Sequence, residues 1–162
     1  MLILEYVWID GFGKARSKTK VIKKTLGSLV TSANFRSIPE WNYDGSSTGQ
    51  ADGKNSEVVL KPVAFFKDPF RQREGSYLIL CETYVKEKNV LVPHKTNTRN
   101  SADKLFKKNL KHKPMFGLEQ EFFISKNGRP IGITDKSPPQ QHYYCGTGAD
   151  NSFGRELVEK AF

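Results

Sequence analysis

Long apolar runs are missing from this chain, and cysteine is nearly so. The start MLILEYVWIDG is apolar, but Glu5 and Asp10 interrupt it and no basic segment precedes it. It reads as neither a signal peptide nor a membrane span. The two cysteines, Cys81 and Cys145, lie far apart in no metal-ligand spacing. Two buried free thiols in a reducing compartment are expected. Internal repeats and low-complexity tracts are absent, and the chain reads as soluble and cytoplasmic. Acidic residues are scarce: 17 against 26 Lys and Arg, a net charge of +9.

What is present fits a folded globular protein. A length of 162 residues suffices for one ordinary domain or two small ones, with a sizeable core. Eleven Phe and six Tyr in a chain that is 37% hydrophobic argue against disorder. The positive charge admits a polyanionic partner, whether nucleotide, nucleic acid or membrane surface, or simply lysines on solvated faces. Two clusters carry most of it, Lys14 to Lys24 and Lys104 to Lys113. In the second, Leu105, Phe106 and Leu110 recur at helical intervals, which places the lysines on the wet side of an amphipathic helix. Aromatic residues are not interleaved with the basic ones, as a base-stacking platform requires, so no nucleic-acid partner is expected.

Strand signals fill the first part. LILEYVWID ends at the turn Gly11-Phe12-Gly13, and TKVIKKTL reads as a short strand after a basic loop. SEVVLKPVAFF and SYLILCETYV follow, separated by the turn-like KDPFRQREG. The polar, Gly-rich stretch from Trp41 to Asn55 reads as one long loop, a kind that is often functional. The character changes near Val92 to Asn97, where a domain boundary is expected. Asn97 or Asn100 then caps a helix running to about His112. FGLEQEFFIS reads as a strand, Asn127-Gly128 as a hairpin turn, and SFGRELVEKAF as a final helix.

Two segments carry candidate chemistry. In a strand, Glu119 and Glu121 share one face with Phe123, while Phe116, Leu118, Phe122 and Ile124 share the other. Two carboxylates so close raise one pKa unless a cation neutralises them, and oxygen ligands of this kind suit Mg²⁺. The alternative is a solvated outer face of an edge strand. In WNYDGSS, Asp44-Gly45 and the hydroxyls of Ser46 and Ser47 form a turn with exposed donors and one carboxylate. The alternative there is an ordinary Asx turn satisfying local backbone groups.

Taken together, EYVWIDGFGKARSKTK, IPEWNYDGSSTGQADGKNSEVVLKPVAFFKDPFR, LILCETY, TNTRNSA, FGLEQEFF and YYCGTGADNSFGRELVE closely resemble the eukaryotic-type (type II) glutamine synthetases. The resemblance implies an α+β fold, with a β-grasp domain over residues 1–95 and the opening part of the α/β catalytic domain over 96–162. It implies ATP-dependent ligation of ammonia to L-glutamate through γ-glutamyl phosphate, with ATP and Mg²⁺ or Mn²⁺ as cofactors. By motif, Glu119 and Glu121 correspond to the first ligands of two metal sites, and Glu119 also adjoins the ATP phosphates. Asp44 corresponds to the aspartate that helps bind ammonium and take its proton, and Ser47 to a positioning residue of the same loop. Family active sites lie between neighbouring subunits of a ring.

The match stops before the family's remaining metal-binding glutamates and histidine, its glutamate- and phosphate-binding arginines and its late glutamate. His94, His112 and His142 match none of these motifs and read as surface or loop residues. Met115 departs from the family's usual Trp, and Gln141-His142 from its Gly-Pro. The expectation is a truncated or split synthetase, inactive alone and completed by a C-terminal fragment. The alternative is a non-catalytic relative that joins the ring of a full-length enzyme.

Overall fold

The computed structural model describes residues 1–23, 30–32, 34–71, 73–131, 145–148 and 152–161. They form two compact units, residues 1–113 and 114–162. Gln141, His142 and the Pro-rich stretch before Cys145 lie outside the described residues.

The first unit is built on a mixed six-stranded sheet. Its strands are β1 (Leu2–Ile9), β2 (Ala15–Ile22), β3 (Trp41–Asp44), β4 (Glu57–Lys67), β5 (Ser76–Glu87) and β6 (Val90–Pro93). The order is β2-β1-β5-β4-β3. β1 and β5 run parallel at the centre, and every other pairing is antiparallel. Tyr84 pairs with both Val59 and Pro93, so β6 continues the edge of β5 that β1 occupies farther back. Register in β4 slips between Pro62 and Ala64. The proline thus sits beside a bulge and past the end of β3, where a missing N–H is tolerated.

Strict alternation sets the core. Leu2, Leu4, Tyr6 and Trp8 are buried on one face of β1, and Leu60, Ile79 and Cys81 join them from β4 and β5. Each fully buried aliphatic residue among them contributes about 1.5–3 kcal/mol. Segment 34–40 lies against this face: Phe35 stacks on Phe65, and the Tyr6 hydroxyl donates to Pro39 O at 2.8 Å. Two-residue turns with positive φ at both centres, Lys88-Asn89 and Asn127-Gly128, close the β5–β6 hairpin and the hairpin of β7 (Ser125–Lys126) with β8 (Arg129–Pro130).

Several expectations need correction. The basic stretch after Gly13 is strand, not loop: β2 pairs along the whole of β1. Lysine is tolerated there because β2 is an edge strand, and Lys18 and Lys20 lie over the Trp41 ring at 4.0 and 4.6 Å. The Trp41–Asn55 stretch is not one loop, since its first four residues form β3. Cys81 is buried as expected, but Cys145 is exposed. His94 lies in a loop, as expected, yet is only 7% exposed.

Helix α1 (Thr98–Lys108) starts at Asn97, whose side chain accepts from Asn100 N. Its apolar residues Leu105 and Phe106 are exposed rather than buried. In the second unit the largest difference is FGLEQEFFIS. Residues 113–124 have no ladder partner among the described residues, and only Ser125–Lys126 pairs. An alternating pattern makes a strand only when another strand accepts its hydrogen bonds. Helix α2 (Arg155–Ala161) ends the described chain.

Candidate functional site

Two loops at one end of the sheet lock together. Asp10, fully buried, closes the β1–β2 turn by accepting from Phe12 N, Lys14 N and Arg16 Nε at 2.8–2.9 Å. Burial pushes its carboxyl pKa up, but the Lys14 N–H, the Arg16 guanidinium and the Phe12 N–H outweigh that and hold it below the usual range. Gly11 N donates to Thr48 O at 2.9 Å, fastening this turn to the short 3₁₀ helix Gly45–Thr48. Gly49 ends that helix at φ +67, with the Phe12 ring where a Cβ would stand.

Asp44 is the N-cap of this helix and lies at its solvent end. Its Oδ1 accepts from Ser46 N at 3.0 Å and from Ser46 Oγ at 2.6 Å. The Ser46 hydroxyl and N–H hold the Asp44 carboxyl below its ordinary pKa, with a smaller contribution from Ser56 against the cost of burial. Ser47 is exposed on the same turn. The Asx-turn alternative is therefore realised, and it leaves an ionised carboxylate open to solvent. Gly45 has no room for a side chain: a Cβ would lie 2.4 Å from Val58 Cγ2 and 2.9 Å from Ala51 Cβ.

Behind the loop lies a polar network that the sequence did not announce. Gln50, 3% exposed, accepts from Tyr43 OH and Thr48 Oγ1, while its Nε2 lies 3.2 Å from Ile9 O and from Thr96 Oγ1. Thr96 N and Oγ1 both meet His94 Nδ1, at 3.2 and 2.8 Å. Nδ1 is the acceptor, which leaves the ring proton on Nε2. Burial, then the Lys95 charge, lower the His94 pKa, and a hydrogen bond with the Gln50 backbone opposes them. Alongside, buried Glu82 accepts from Arg99 Nη1 (2.7 Å), Tyr84 OH (2.9 Å) and Asn100 Nδ2 (3.1 Å), tying the start of α1 to β5. These contacts outweigh the burial cost and lower the Glu82 pKa. One glutamine in a Gly-rich stretch and one histidine after a proline carry no periodic signal. Gln50 fell within the resemblance segment that contains STGQ and Thr96 opened TNTRNSA, but His94 lay in none of those segments.

In the second unit, Glu119 and Glu121 are exposed. No cluster of three or more His, Cys, Asp or Glu able to hold a metal ion occurs among the described residues. Among the described residues, Glu119 and Glu121 are therefore not completed into a divalent-cation site.

The model of the family "Glutamine synthetase, beta-Grasp domain" matches residues 1–86. The chain belongs to the glutamine synthetase family. Its mixed sheet is that family's β-grasp domain, within an α+β chain. The chain is 42% identical over 98% of its length to a putative glutamine synthetase of Acanthamoeba polyphaga mimivirus, covering 43% of that protein. It is 43% identical over 99% of its length to the glutamine synthetase nodule isozyme of Lupinus angustifolius, covering 50%. It is likewise 43% identical over 99% of its length to the glutamine synthetase cytosolic isozyme 2 of Vitis vinifera, covering 44%. The chain thus spans half or less of these synthetases. Among the described residues, no helix is long and apolar enough to cross a membrane.

Proposed function

We propose that the chain supplies the ammonium side of a glutamine synthetase active site in the cytoplasm, with residues 1–95 as its β-grasp domain and 96–162 as the opening of its catalytic domain. One observation carries this reading: an ionised, solvent-facing carboxylate, Asp44, held on a turn with no slack. Such a group attracts a small cation, and the two Ser46 donors keep it charged. The same donors make it a weaker base, so its first task is to bind ammonium. Proton acceptance follows only once other groups have lowered the pKa of the bound cation. Ser47, beside it, positions the loop.

ATP supplies the phosphoryl group that activates the γ-carboxylate of L-glutamate. Glu119 and Glu121 are offered as one ligand apiece for Mg²⁺ or Mn²⁺, with Glu119 next to the ATP phosphates. A single carboxylate per ion holds Mg²⁺ weakly, because this ion keeps its waters. The further carboxylates and the phosphate-binding cations belong to the rest of a synthetase catalytic domain, and the partners are other synthetase subunits in a ring. The test is ATP-dependent γ-glutamyl hydroxamate formation. The 162-residue chain should form none alone and should form product when mixed with a polypeptide spanning the rest of the catalytic domain. Product from the chain alone, at the rate of a full-length synthetase, would contradict the proposal.

A further inference from the structure

We propose that Gln50 is the positioning residue for Asp44: it grips the residues on both sides of that carboxylate and fastens them to the end of β1 and to the β6–α1 junction. The inference rests on the reading of Asp44 as the ammonium-side carboxylate. On the near side, Gln50 Oε1 accepts from the hydroxyl of Tyr43, the residue before Asp44. On the far side, Gln50 N donates to the carbonyl of Gly45, the residue after it, at 2.9 Å. Thr48 Oγ1 lies 3.1 Å from both Gly45 O and Gln50 Oε1, which closes the turn. The opposite end of the amide reaches Ile9 O and Thr96 Oγ1, both at 3.2 Å.

The chemistry selects glutamine. A buried amide has two acceptor lone pairs and two donor hydrogens; here Oε1 accepts from Tyr43 OH and shares the one Thr48 hydroxyl hydrogen with Gly45 O, while Nε2 faces Ile9 O and Thr96 Oγ1. Glutamate has no donor for Ile9 O or Thr96 Oγ1, and an apolar residue of the same length has neither donor nor acceptor. The bonds also have a direction. Thr96, accepting from Gln50, passes its own hydroxyl hydrogen to His94 Nδ1, which also accepts from Thr96 N. The grip on Asp44 thus ends on a buried, neutral histidine in the β6–α1 junction. The charged group opposite Asp44 is Glu57, its register partner on β4, held by Asn42 Nδ2.

The experiment follows the side-chain carboxyl titrations of Asp44 and Asp68 by carbon-detected NMR in the 162-residue chain. Asp68 serves as internal reference, since its partners Phe70 N and Arg71 belong to a separate turn. Gln50→Met should move the Asp44 midpoint up toward the ordinary aspartate range and leave Asp68 in place. Tyr43→Phe, which removes one hydroxyl from the same grip, should move it in the same direction by less. An unmoved Asp44 in folded Gln50→Met overturns the assignment, as does an equal movement of both aspartates. Should Gln50→Met not fold, an unmoved Asp44 in Tyr43→Phe overturns it. The titration involves no ammonium. Unchanged ammonium kinetics in an Asp44→Asn reconstituted enzyme would therefore sink the reading of Asp44, whatever the titration shows of Gln50.

Discussion

Gly45→Ala tests whether the Asp44 turn is held by packing rather than by backbone conformation. Gly45 has no positive φ, so alanine suits its backbone, and the penalty must come from space. The new methyl would stand 2.4 Å from Val58 Cγ2, well inside van der Waals contact, and Val58 is itself fully buried. Relief requires one side to move by about 1 Å in a close-packed region, which places the cost near the upper end of overpacking, about 3 kcal/mol. Val58→Ala alone removes two buried methyls and should cost about 2 kcal/mol. In the double variant the methyl of residue 45 occupies the vacated space. The combined loss should then fall short of the sum by at least about 1 kcal/mol. Urea unfolding followed by Trp fluorescence gives all three values, and Gly45→Ala alone should lower Tm by roughly 10 °C. Additive losses, or a Gly45→Ala variant as stable as the parent, would refute the steric account.

Other outcomes follow from the same contacts. His94 has its pKa lowered from an ordinary 6.5, so the folded state resists its protonation. Its contribution is complete above about pH 6.5 and is lost as pH falls toward the lower folded value. His94→Gln should flatten that part of the stability–pH curve. Asp10, Asp68 and Glu82 are shifted down and act at lower pH, where stability falls as each is protonated through its folded value. Burial pushes the Cys81 thiol up to about 12, so a thiol reagent at neutral pH should label only exposed Cys145 in the native chain and both cysteines in denaturant. Replacing Lys88-Asn89, both at positive φ, by Asn-Gly should stabilise the β5–β6 hairpin by about 1 kcal/mol, measurable as a shift in urea midpoint.

The strands that could be read in advance were those with apolar alternation. β1, β4 and β5 stand where LILEYVWID, SEVVLKPVAFF and SYLILCETYV pointed, because one face of each meets the core. Only the end of β2 was legible, in TKVIKKTL; its first half was hidden by basic residues, which an edge strand accommodates and a hydropathy pattern does not reveal. β3 was hidden by its length of four residues. FGLEQEFFIS misled in the other direction, since its pattern is that of a strand but no strand among the described residues pairs with residues 116–124. The site divides the same way. Asp44 and Ser47 were legible only through the resemblance of their motif, and the Asx turn that fixes them was legible from residue types. Gln50 and His94 were not, because their partners at positions 9, 43, 48 and 96 converge only in the folded sheet.

The most direct test of the account concerns ammonium at Asp44. In the enzyme reconstituted from this chain and the rest of its catalytic domain, initial rates of glutamine formation should be measured against ammonium and against ATP for the parent and for Asp44→Asn. The account predicts kcat/KM for ammonium lower by about 100-fold or more, with KM for ATP unchanged. An ammonium dependence equal to the parent's would contradict it.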